Sequence, residues 1–325
     1  MKSVNRFMKS FPKFDNLTGQ SAQMKLVFRR IEEAAASEVT VLILGESGTG
    51  KELVAESIHK RSKRSDKPFI PVNTGAISRE LVASELFGHQ KGAFTGATEA
   101  KLGKFEQANE GTILLDEIST MDETAQISLL RVLEAKKIQR IGGRRFINTD
   151  VRVIAASNED LLNVIKSDEP IIREDLFHRL SVFTITLPPL RERGGDIVIL
   201  AKELLQNACK EFDKDIRGFE QNALNALIDY QWPGNVREMK NVIQRAVLIC
   251  RDNLIQLKNL PQRVQTSKKN FNDMVIPVGS SLKEAEKLII TKTLAMTKGN
   301  RKKAAEILGI SRRALYNKIK SLQIS

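Results

Sequence analysis

The stretch Gly45-Glu46-Ser47-Gly48-Thr49-Gly50-Lys51 decides the fold of this chain. It follows an apolar run at 39–44 and precedes a helical pattern at 52–61. Glycines here let backbone N–H groups turn toward phosphate oxygens, and the start of the helix adds the positive end of its dipole. A purely structural turn is the alternative, but it would not require the strand, the seven positions and the helix together. We therefore predict a phosphate-binding loop in which Lys51 reaches the β and γ phosphates of a nucleotide.

Glu52 follows the lysine where Ser or Thr normally touches magnesium, so the metal must depend more on another motif and on water. That motif is the acidic pair Asp116-Glu117, which ends the apolar run 112–115. Asp116 is placed to orient Mg²⁺ or its waters, and Glu117 to polarise the water that attacks the γ phosphate of ATP. A purely structural pair is less favoured, because two adjacent buried acids are costly without a cation.

Apolar runs and helical patterns alternate along the first half of the chain. Helical patterns lie at 24–35, 52–61 and 122–136, and the runs lie at 39–44, 69–72, 112–115, 151–156 and 182–187. Continuous apolar strands alternating with helices indicate an α/β fold, with a parallel sheet covered by helices on both faces. Ligands of such sheets bind at the carboxyl ends of the strands.

Composition and breaker residues divide the chain further. After the Pro188-Pro189 break the pattern reads as helices only, and after about 262 it becomes polar. Ser281 and Glu284 then match a capping box, which opens a helix that Gly299-Asn300 ends. The predicted division is an extension at 1–14, an α/β subdomain at 15–190, a helical lid at 191–262, a linker at 263–280 and a C-terminal domain at 281–325.

Positive charge is concentrated at the C-terminus. The chain has 52 Lys and Arg against 39 Asp and Glu, and residues 297–325 hold eight Lys or Arg against Glu306 alone. This end favours a polyanionic partner, nucleic acid before membrane, with a solvated cationic tail as the alternative.

The C-terminal pattern is typical of a helix-turn-helix. Ala304, Ala305, Ile307 and Leu308 line one helix, Gly309 makes the turn, and Ser311 caps a second helix. An ordinary basic helical hairpin is the alternative. The residues predicted to face the major groove are Arg312, Arg313 and Asn317, and those predicted to touch phosphates are Arg301, Lys302, Lys303 and Lys320, with Lys318 also on the second helix.

Several classes of protein are disfavoured. Cys209 and Cys250 form no CxxC pair, and His59, His89 and His178 are scattered, so we expect neither a zinc site nor a catalytic histidine. No stretch of 18 apolar residues and no signal-peptide core occurs, so we expect a cytoplasmic protein without membrane insertion.

The motif GAFTGA at 92–97, together with GESGTGKE (45–52), LLDE (114–117), LPPLRER (187–193) and WPGNVRE (232–238), closely resembles the bacterial enhancer-binding proteins. These are AAA+ ATPases that activate sigma-54 RNA polymerase, in the class of NtrC and the phage-shock activator. The resemblance spans about 15–262 as an AAA+ module and continues into a Fis-type helix-turn-helix. It implies ATP and Mg²⁺ as cofactors, a ring of six or seven subunits, and sigma-54 polymerase as partner.

The resemblance assigns roles at matching positions. The loop Gly92, Ala93, Phe94, Thr95, Gly96 and Ala97 would contact the sigma factor, with Phe94 and Thr95 as its contact residues. A tight turn with Phe94 in the core is the alternative. Asn73 would hydrogen-bond Glu117 and release it as the nucleotide changes, although a plain strand-end cap is possible. Asn158 fits sensor I, although Ser157 precedes it where threonine is more usual.

Three arginines also match the family. Arg173 and Arg179 would reach a neighbouring subunit's ATP, although Ile172 replaces the usual Phe, and either arginine has the alternative of a surface ion pair with Glu174 or Asp175. Arg237 corresponds to sensor II on the lid, where Asn235 is expected to cap the helix.

The resemblance also bears on assembly and control. The helix with Leu282, Ala285, Ile289 and Met296 on one side looks like the dimerisation face of Fis, so enhancer DNA would carry inverted repeats. Only some 14 residues precede the AAA+ module. Either a partner regulates the protein in trans, or an N-terminal regulatory domain is missing from this chain.

Two rival functions stay open on the sequence. One is an AAA+ DNA translocase or protein unfoldase, which would grip its substrate with an aromatic pore loop. The other is a DNA-binding repressor whose phosphate loop only senses nucleotide, against which Glu117, Arg173 and Arg179 argue.

Overall fold

A computed structural model describes residues 13–158, 171–266, 281–297 and 300–322. The chain forms two compact units, and the boundary between them lies between Thr266 and Ser267. Most of the predicted extension at 1–14, the part of the predicted linker at 267–280, and Gly299 lie outside the described residues. Among the helices described, none is both long enough and apolar enough to cross a membrane.

The first unit contains strands and helices in alternation. Its strands are β1 (Lys13–Phe14), β2 (Leu17–Thr18), β3 (Val41–Leu44), β4 (Phe69–Asn73), β5 (Gly88–His89), β6 (Lys101–Leu102), β7 (Thr112–Asp116), β8 (Lys137–Gln139), β9 (Phe146–Asn148), β10 (Arg152–Ser157), β11 (Phe183–Thr186), β12 (Gly218–Phe219) and β13 (Leu254–Ile255). Its helices are α1 (Ala22–Ala35), α2 (Lys51–Lys60), α3 (Arg79–Phe87), α4 (Lys104–Gln107), α5 (Glu123–Ala135), α6 (Glu174–Leu180), α7 (Asp196–Glu211), α8 (Gln221–Asp229), α9 (Asn235–Ile249) and α10 (Gln262–Gln265). Single 3₁₀ turns occur at Thr74–Ala76, Ile118–Thr120, Leu190–Glu192 and Leu257–Asn259.

Five parallel strands form the central sheet in the order β11-β3-β10-β7-β4. Each of the five apolar runs predicted as a strand is one, and the bounds differ by one or two residues. Leu42 and Ile43 show why the runs are continuous. They are adjacent and fully buried, but they pack into the two separate cores on opposite faces of the sheet. The predicted α/β fold is therefore confirmed.

The register of the sheet brings the carboxyl ends of four strands to one edge. Asn73 lies opposite Asp116, and Ser157 lies opposite Leu44. The chain therefore places the phosphate loop (45–51), Asn73, the acidic pair and Asn158 along the same edge, as parallel pairing requires.

Two hairpins project from this α/β part. β5 and β6 flank the loop 90–100, and β8 pairs with β9. The hairpins are joined because Gln90 N donates to Ile141 O at 3.0 Å and Ile141 N donates to Gly88 O at 2.9 Å. The base of the first loop is therefore fixed, while its tip extends beyond the strands.

The part after 190 is mostly helical, but the prediction of helices only was wrong. β12 and β13 form a short parallel pair that joins the segment before α8 to the segment after α9. The core between α7, α8 and α9 is built around Trp232, which has no exposed surface. A strand pair of two residues is too short to produce a period in the sequence.

The second unit contains α11 (Leu282–Met296), α12 (Arg301–Ile307) and α13 (Arg312–Ser321). The predicted capping box is confirmed, because Ser281 Oγ accepts from Glu284 N at 3.2 Å and Glu284 Oε2 accepts from Ser281 N at 3.0 Å. Ser311 Oγ accepts from Ala314 N, as predicted for the cap of the second helix. The core of the unit comprises Ile290, Ala304, Ala305, Leu315 and Leu322. Ile307 is half exposed and is not part of it.

We expect Trp232 to dominate the stability of the helical part of the first unit. Its Nε1 donates to Leu227 O at 2.8 Å, and its ring meets Tyr230 edge-on. Trp232→Ala should lower the free energy of unfolding by about 3–5 kcal/mol, because a large buried ring leaves a cavity. Trp232→Phe should cost less, because most of the ring volume remains.

Urea denaturation followed by far-ultraviolet circular dichroism measures this effect. Val182→Ala is the control, because Val182 is mainly exposed and its loss should change the free energy by less than about 0.5 kcal/mol. Equal midpoints for Trp232→Ala and Val182→Ala would contradict the assignment.

Candidate functional site

The phosphate loop connects the end of β3 to the start of α2. Gly48 and Gly50 have φ of +77° and +105°, and α2 begins at Lys51. Gly48 is required for a second reason, because a Cβ there would lie 2.4 Å from Gly234 O. The Thr49 hydroxyl donates to Glu46 O at 2.7 Å and so closes the turn. The loop is therefore preformed with its backbone wrapped toward the start of the helix.

Lys51 is the charged centre of the site. It is 6% exposed, and its Nζ donates to Gly45 O at 2.8 Å and to Asn158 Oδ1. Burial lowers the pKa of the Lys51 ammonium, and the carboxylates of Asp116 and Glu117 oppose that shift. The ammonium is therefore held where a phosphate group would meet it, beside the two acids.

The acidic pair lies next to Lys51. Glu117 adopts φ +60°, and its backbone N donates to Asp116 Oδ1 at 3.0 Å. The hydroxyl of Thr74 lies 2.8 Å from Asp116 O and 2.9 Å from Glu117 O, which fixes the turn after β7. Left-handed backbone at a non-glycine residue is costly and is found where surrounding contacts demand it. The turn therefore gives the two carboxylates different partners, because Asp116 accepts from Glu117 N and Glu117 accepts from Asn158.

The donor set fits magnesium bound through its substrate. In the described part of the chain, no group of three or more His, Cys, Asp and Glu residues could hold a metal ion. Mg²⁺ commonly keeps several waters and binds one or two carboxylates together with substrate phosphates. Asp116 supplies such a carboxylate, while Glu52 is exposed on α2. A metal here therefore requires a nucleotide to complete its ligands.

Asn158, rather than Asn73, contacts Glu117 in this structure. Asn158 Nδ2 donates to Glu117 Oε1 at 3.3 Å, while Asn73 Oδ1 accepts from Ala76 N at 3.1 Å. The hydrogen bond predicted between Asn73 and Glu117 is thus not formed, because Asn73 caps the 3₁₀ turn after β4. Asn158 instead joins Lys51 to Glu117, which places the sensor I position at the centre of the site.

The helical lid contacts the phosphate loop directly. Arg237 Nη1 donates to Ser47 Oγ at 3.1 Å, and Val236 N donates to Gly48 O at 3.0 Å. Asn235 does not cap α9 as predicted. It has φ +50°, its Oδ1 accepts from Leu190 N, and its Nδ2 donates to Glu46 Oε2 and Ser47 O. Gly234 takes the cap position instead.

Two further arginines were missed by reasoning from sequence. Arg191 pairs with Glu46, and Arg193 is buried, donating to Thr49 O at 2.9 Å and Pro188 O at 3.0 Å. Burial lowers the pKa of Arg193 to about 10, so it stays charged at neutral pH. The motif LPPLRER contains both residues, but spacing alone did not show what they contact.

The two arginines predicted to act in trans form ion pairs within this chain. Arg173 Nη2 lies 2.9 Å from Asp175 Oδ2 and its Nη1 lies 3.1 Å from Glu123 Oε1. Arg179 Nη2 lies 3.1 Å from Glu134 Oε1. The surface ion pair with Asp175 that the spacing allowed is thus formed by Arg173, and action in trans stays a prediction for both.

The GAFTGA segment forms the exposed tip between β5 and β6. Gly92 N donates to Ala97 O at 2.8 Å, and Ala97 is buried. Phe94 is 37% exposed, and its ring lies edge-on to His89 with centroids 5.0 Å apart. Thr95 is exposed. Phe94 is therefore not in the core, and the loop presents an aromatic ring and a hydroxyl to solvent.

The second unit presents a basic helical surface. Arg312, Arg313, Asn317 and Lys320 are exposed on α13, as are Arg301, Lys302 and Lys303 on α12. Lys318 instead pairs with Glu286 of α11, so it is less available for DNA than its neighbours. Tyr316, which is 57% exposed on α13, was not predicted. On α11, Leu282 is exposed and Ile289 is half-buried, and the side chain of Met296 lies outside the described residues. The dimerisation face stays a prediction.

Comparisons with known proteins find three family matches. Residues 17–186 match the Sigma-54 interaction domain, 191–274 match the AAA+ ATPase lid domain, and 281–322 match the Fis family of bacterial regulatory proteins. The regulatory protein AtoC of Escherichia coli is 45% identical over 314 residues, which cover 95% of this chain and 68% of AtoC. The nitrogen fixation protein AnfA of Azotobacter vinelandii is 42% identical over 95% of this chain but only 58% of its own length.

A solved structure is also similar over most of the chain. The crystal structure of NtrX from Brucella abortus in complex with ADP has a TM-score of 0.71 and 32% identity, covering 95% of this chain and 70% of NtrX. NtrX has also been solved in complex with ATP, with the same TM-score.

Gly75 gives a test of how the acidic pair is positioned. A Cβ at Gly75 would lie 1.9 Å from Glu117 Oε2, so Gly75→Ala must displace that carboxylate. We expect ATP turnover to fall about tenfold or more, since a misplaced catalytic group is that costly, while nucleotide affinity changes little.

Steady-state phosphate release and titration with a fluorescent ATP analogue separate the two effects. Gly195→Ala is the control, because no atom lies within 4 Å of a Cβ at Gly195. Normal turnover in Gly75→Ala would show that Glu117 is not held against this glycine.

Proposed function

Because this chain belongs to the family of sigma-54-dependent transcriptional activators, we propose that it uses ATP hydrolysis to convert the closed sigma-54 polymerase complex at a promoter into the open complex. The observation that carries the proposal is the hydrogen-bonded chain Lys51–Asn158–Glu117. It joins the residue that would meet the terminal phosphates to the residue that would act on water.

ATP is the nucleotide that this site fits. NtrX binds ATP or ADP in its crystal structures, and we extend that binding to this chain. The backbone of Gly45, Glu46, Ser47, Gly48, Thr49 and Gly50 would cradle the phosphates. Lys51 would pair with the β and γ phosphates, and Arg237 would leave Ser47 to reach the same charge.

Hydrolysis follows from the acidic pair. Glu117 orients and deprotonates the attacking water, and Asn158 holds its carboxylate in the ground state. Mg²⁺, held by Asp116 together with ATP and water, would neutralise charge on the phosphates. The reaction yields ADP and phosphate, and loss of the γ phosphate frees Asn158 and Arg237 to take new partners.

Turnover would depend on assembly. Arg173 and Arg179 are exposed, and a neighbouring subunit's triphosphate offers a stronger anionic partner than their present carboxylates. We therefore propose that dimers close into a ring of six or seven subunits. In the ring, hydrolysis moves the GAFTGA loop against sigma-54.

The second unit would tether the ring to enhancer DNA. The basic face of α13 supports reading of inverted repeats by a dimer, with α12 on the phosphates. We place the protein in the cytoplasm, with control by a regulatory protein acting in trans as one way to govern assembly.

A DNA translocase or a protein unfoldase would be stimulated by a different partner. Long DNA or unfolded protein would then stimulate ATP turnover, whereas the activator needs sigma-54 polymerase. The nucleotide-sensing repressor would show no turnover at any protein concentration.

The deciding assay is open-complex formation on a supercoiled sigma-54 promoter, with ATP and with a non-hydrolysable analogue. Open complex with the analogue alone would overturn the proposal.

Glu117→Gln should retain ATP binding and lose turnover. The amide keeps the shape of the side chain but cannot accept a proton, so the rate should fall about 100-fold or more. Phosphate release at saturating ATP measures the loss, and Glu33→Gln on the exposed face of α1 is the matched control. A Glu117→Gln rate near that of the unmodified protein would remove Glu117 from the mechanism.

Thr95→Ala should spare ATP turnover and abolish promoter opening. The exposed hydroxyl makes no contact with the nucleotide site, so its loss affects only what the loop touches. Open-complex yield and phosphate release are measured on the same preparation, with Thr98→Ala in the same loop as control. Normal open-complex yield in Thr95→Ala would refute the assignment of the loop.

A further inference from the structure

Four consecutive residues of the phosphate loop are held by the segment that begins at Pro188. Glu46 is bound by Arg191 and Asn235, and Ser47 by Asn235 and Arg237. The carbonyls of Gly48 and Thr49 accept from Val236 N and Arg193, respectively. Each position of the loop between Gly45 and Gly50 therefore has a partner in the segment 191–237.

Glu46 differs from Gly48 and Thr49 because its side chain, rather than its backbone, makes these contacts. Its two carboxylate oxygens accept from Arg191 at 2.6 and 2.9 Å, and Oε2 also accepts from Asn235 at 3.0 Å. The Arg191 guanidinium, with Asn235, holds the pKa of the Glu46 carboxyl below its usual range. A carboxylate turned toward the lid is unsuited to touching phosphate, because like charges repel.

We propose that the side chains of Glu46, Arg191 and Asn235 form a clamp that positions the lid arginine Arg237 on the phosphate loop, and that these three side chains do not touch the nucleotide. The proposal rests on the proposed function, since it concerns the same ATP site. Asn235 is the link, because its Nδ2 donates both to Glu46 and to Ser47 O, and Ser47 Oγ receives Arg237.

The geometry favours a positioning role over a simple surface ion pair. Arg191 and Glu46 are about a third exposed, and ordinary pairs at that exposure contribute little. This pair is bidentate, however, and the third member of the group, Asn235, is fully buried, with its amide oxygen Oδ1 accepting from Leu190 N. The Glu46 carboxylate is therefore held in one orientation. Through this fixed contact, a movement of the lid is passed on to the phosphate loop.

Coupling to Arg237 tests the clamp. Arg237→Ala should reduce ATP turnover strongly in the unmodified protein, but much less in a Glu46→Gln background, because Arg237 is then no longer held in place. We expect the two effects to be non-additive by about tenfold. Glu46→Gln and Arg191→Gln should each weaken binding of a fluorescent ATP analogue by about tenfold, and the double variant should be no weaker than either.

The pair Glu106–Arg140 supplies the matched control. It is also bidentate, at 2.9 and 2.7 Å, but it lies away from the phosphate loop. Glu106→Gln should leave ATP affinity unchanged and should combine additively with Arg237→Ala. Melting temperatures of all variants show whether Glu46→Gln remains folded. Arg191→Gln tests the same ion pair by changing the other partner.

The outcomes separate the clamp from the proposed function. Additive effects of Glu46→Gln and Arg237→Ala, or unchanged affinity in Glu46→Gln and Arg191→Gln, would overturn the clamp while leaving ATP hydrolysis intact. Absence of turnover in the unmodified full chain would overturn the proposed function, and affinity for the ATP analogue would still report on the clamp.

Discussion

The buried ammonium of Lys51 constrains how polar and charged groups are arranged at the carboxyl edge of the sheet. Removing such a cation from water costs several kcal/mol unless partners replace the water. Here the Gly45 carbonyl and Asn158 accept its hydrogens, and Asp116 and Glu117 supply the opposite charge. The Lys51 ammonium therefore depends on Gly45, Asn158 and the two acids together.

Arg193 is a second buried cation that needs polar partners in place of water. This guanidinium is buried, and two of its donors end on the carbonyls of Pro188 and Thr49. Asp196 lies close enough to oppose the lowering of its pKa, and the Asp196 carboxylate also accepts from Gln20 N and Ser21. Two buried residues of opposite charge, Arg193 and Asp196, thus connect the phosphate loop, the start of α1 and the start of α7. The α/β and helical parts form one compact unit because polar groups, and not only apolar surface, cross between them.

Whether a feature can be predicted from the sequence depends on how far apart along the chain its interacting residues lie. The five sheet strands, the phosphate loop and the capping box at Ser281 are local patterns, and the structure contains them all. Asn235 was misassigned because a Pro-Gly-Asn turn ordinarily indicates a cap, whereas its side chain binds Glu46, 189 residues earlier in the chain. Arg191 and Arg193 were missed for the same reason. Their partners are close only after the lid has packed, and no spacing in the sequence encodes that distance.

Arg173 and Arg179 would prepare a single chain for the ring that we propose. Both are exposed and neutralised by nearby carboxylates, so neither is an unpaired charge before assembly. Exposed pairs of this kind contribute little to stability, so exchanging a carboxylate for a phosphate costs little. A triphosphate in a partly buried site offers more charge and less competing water, which favours the exchange. In the ring that we propose, the ion pairs within the chain would hold the arginines in place at low cost and release them where a neighbouring subunit presents a better anion.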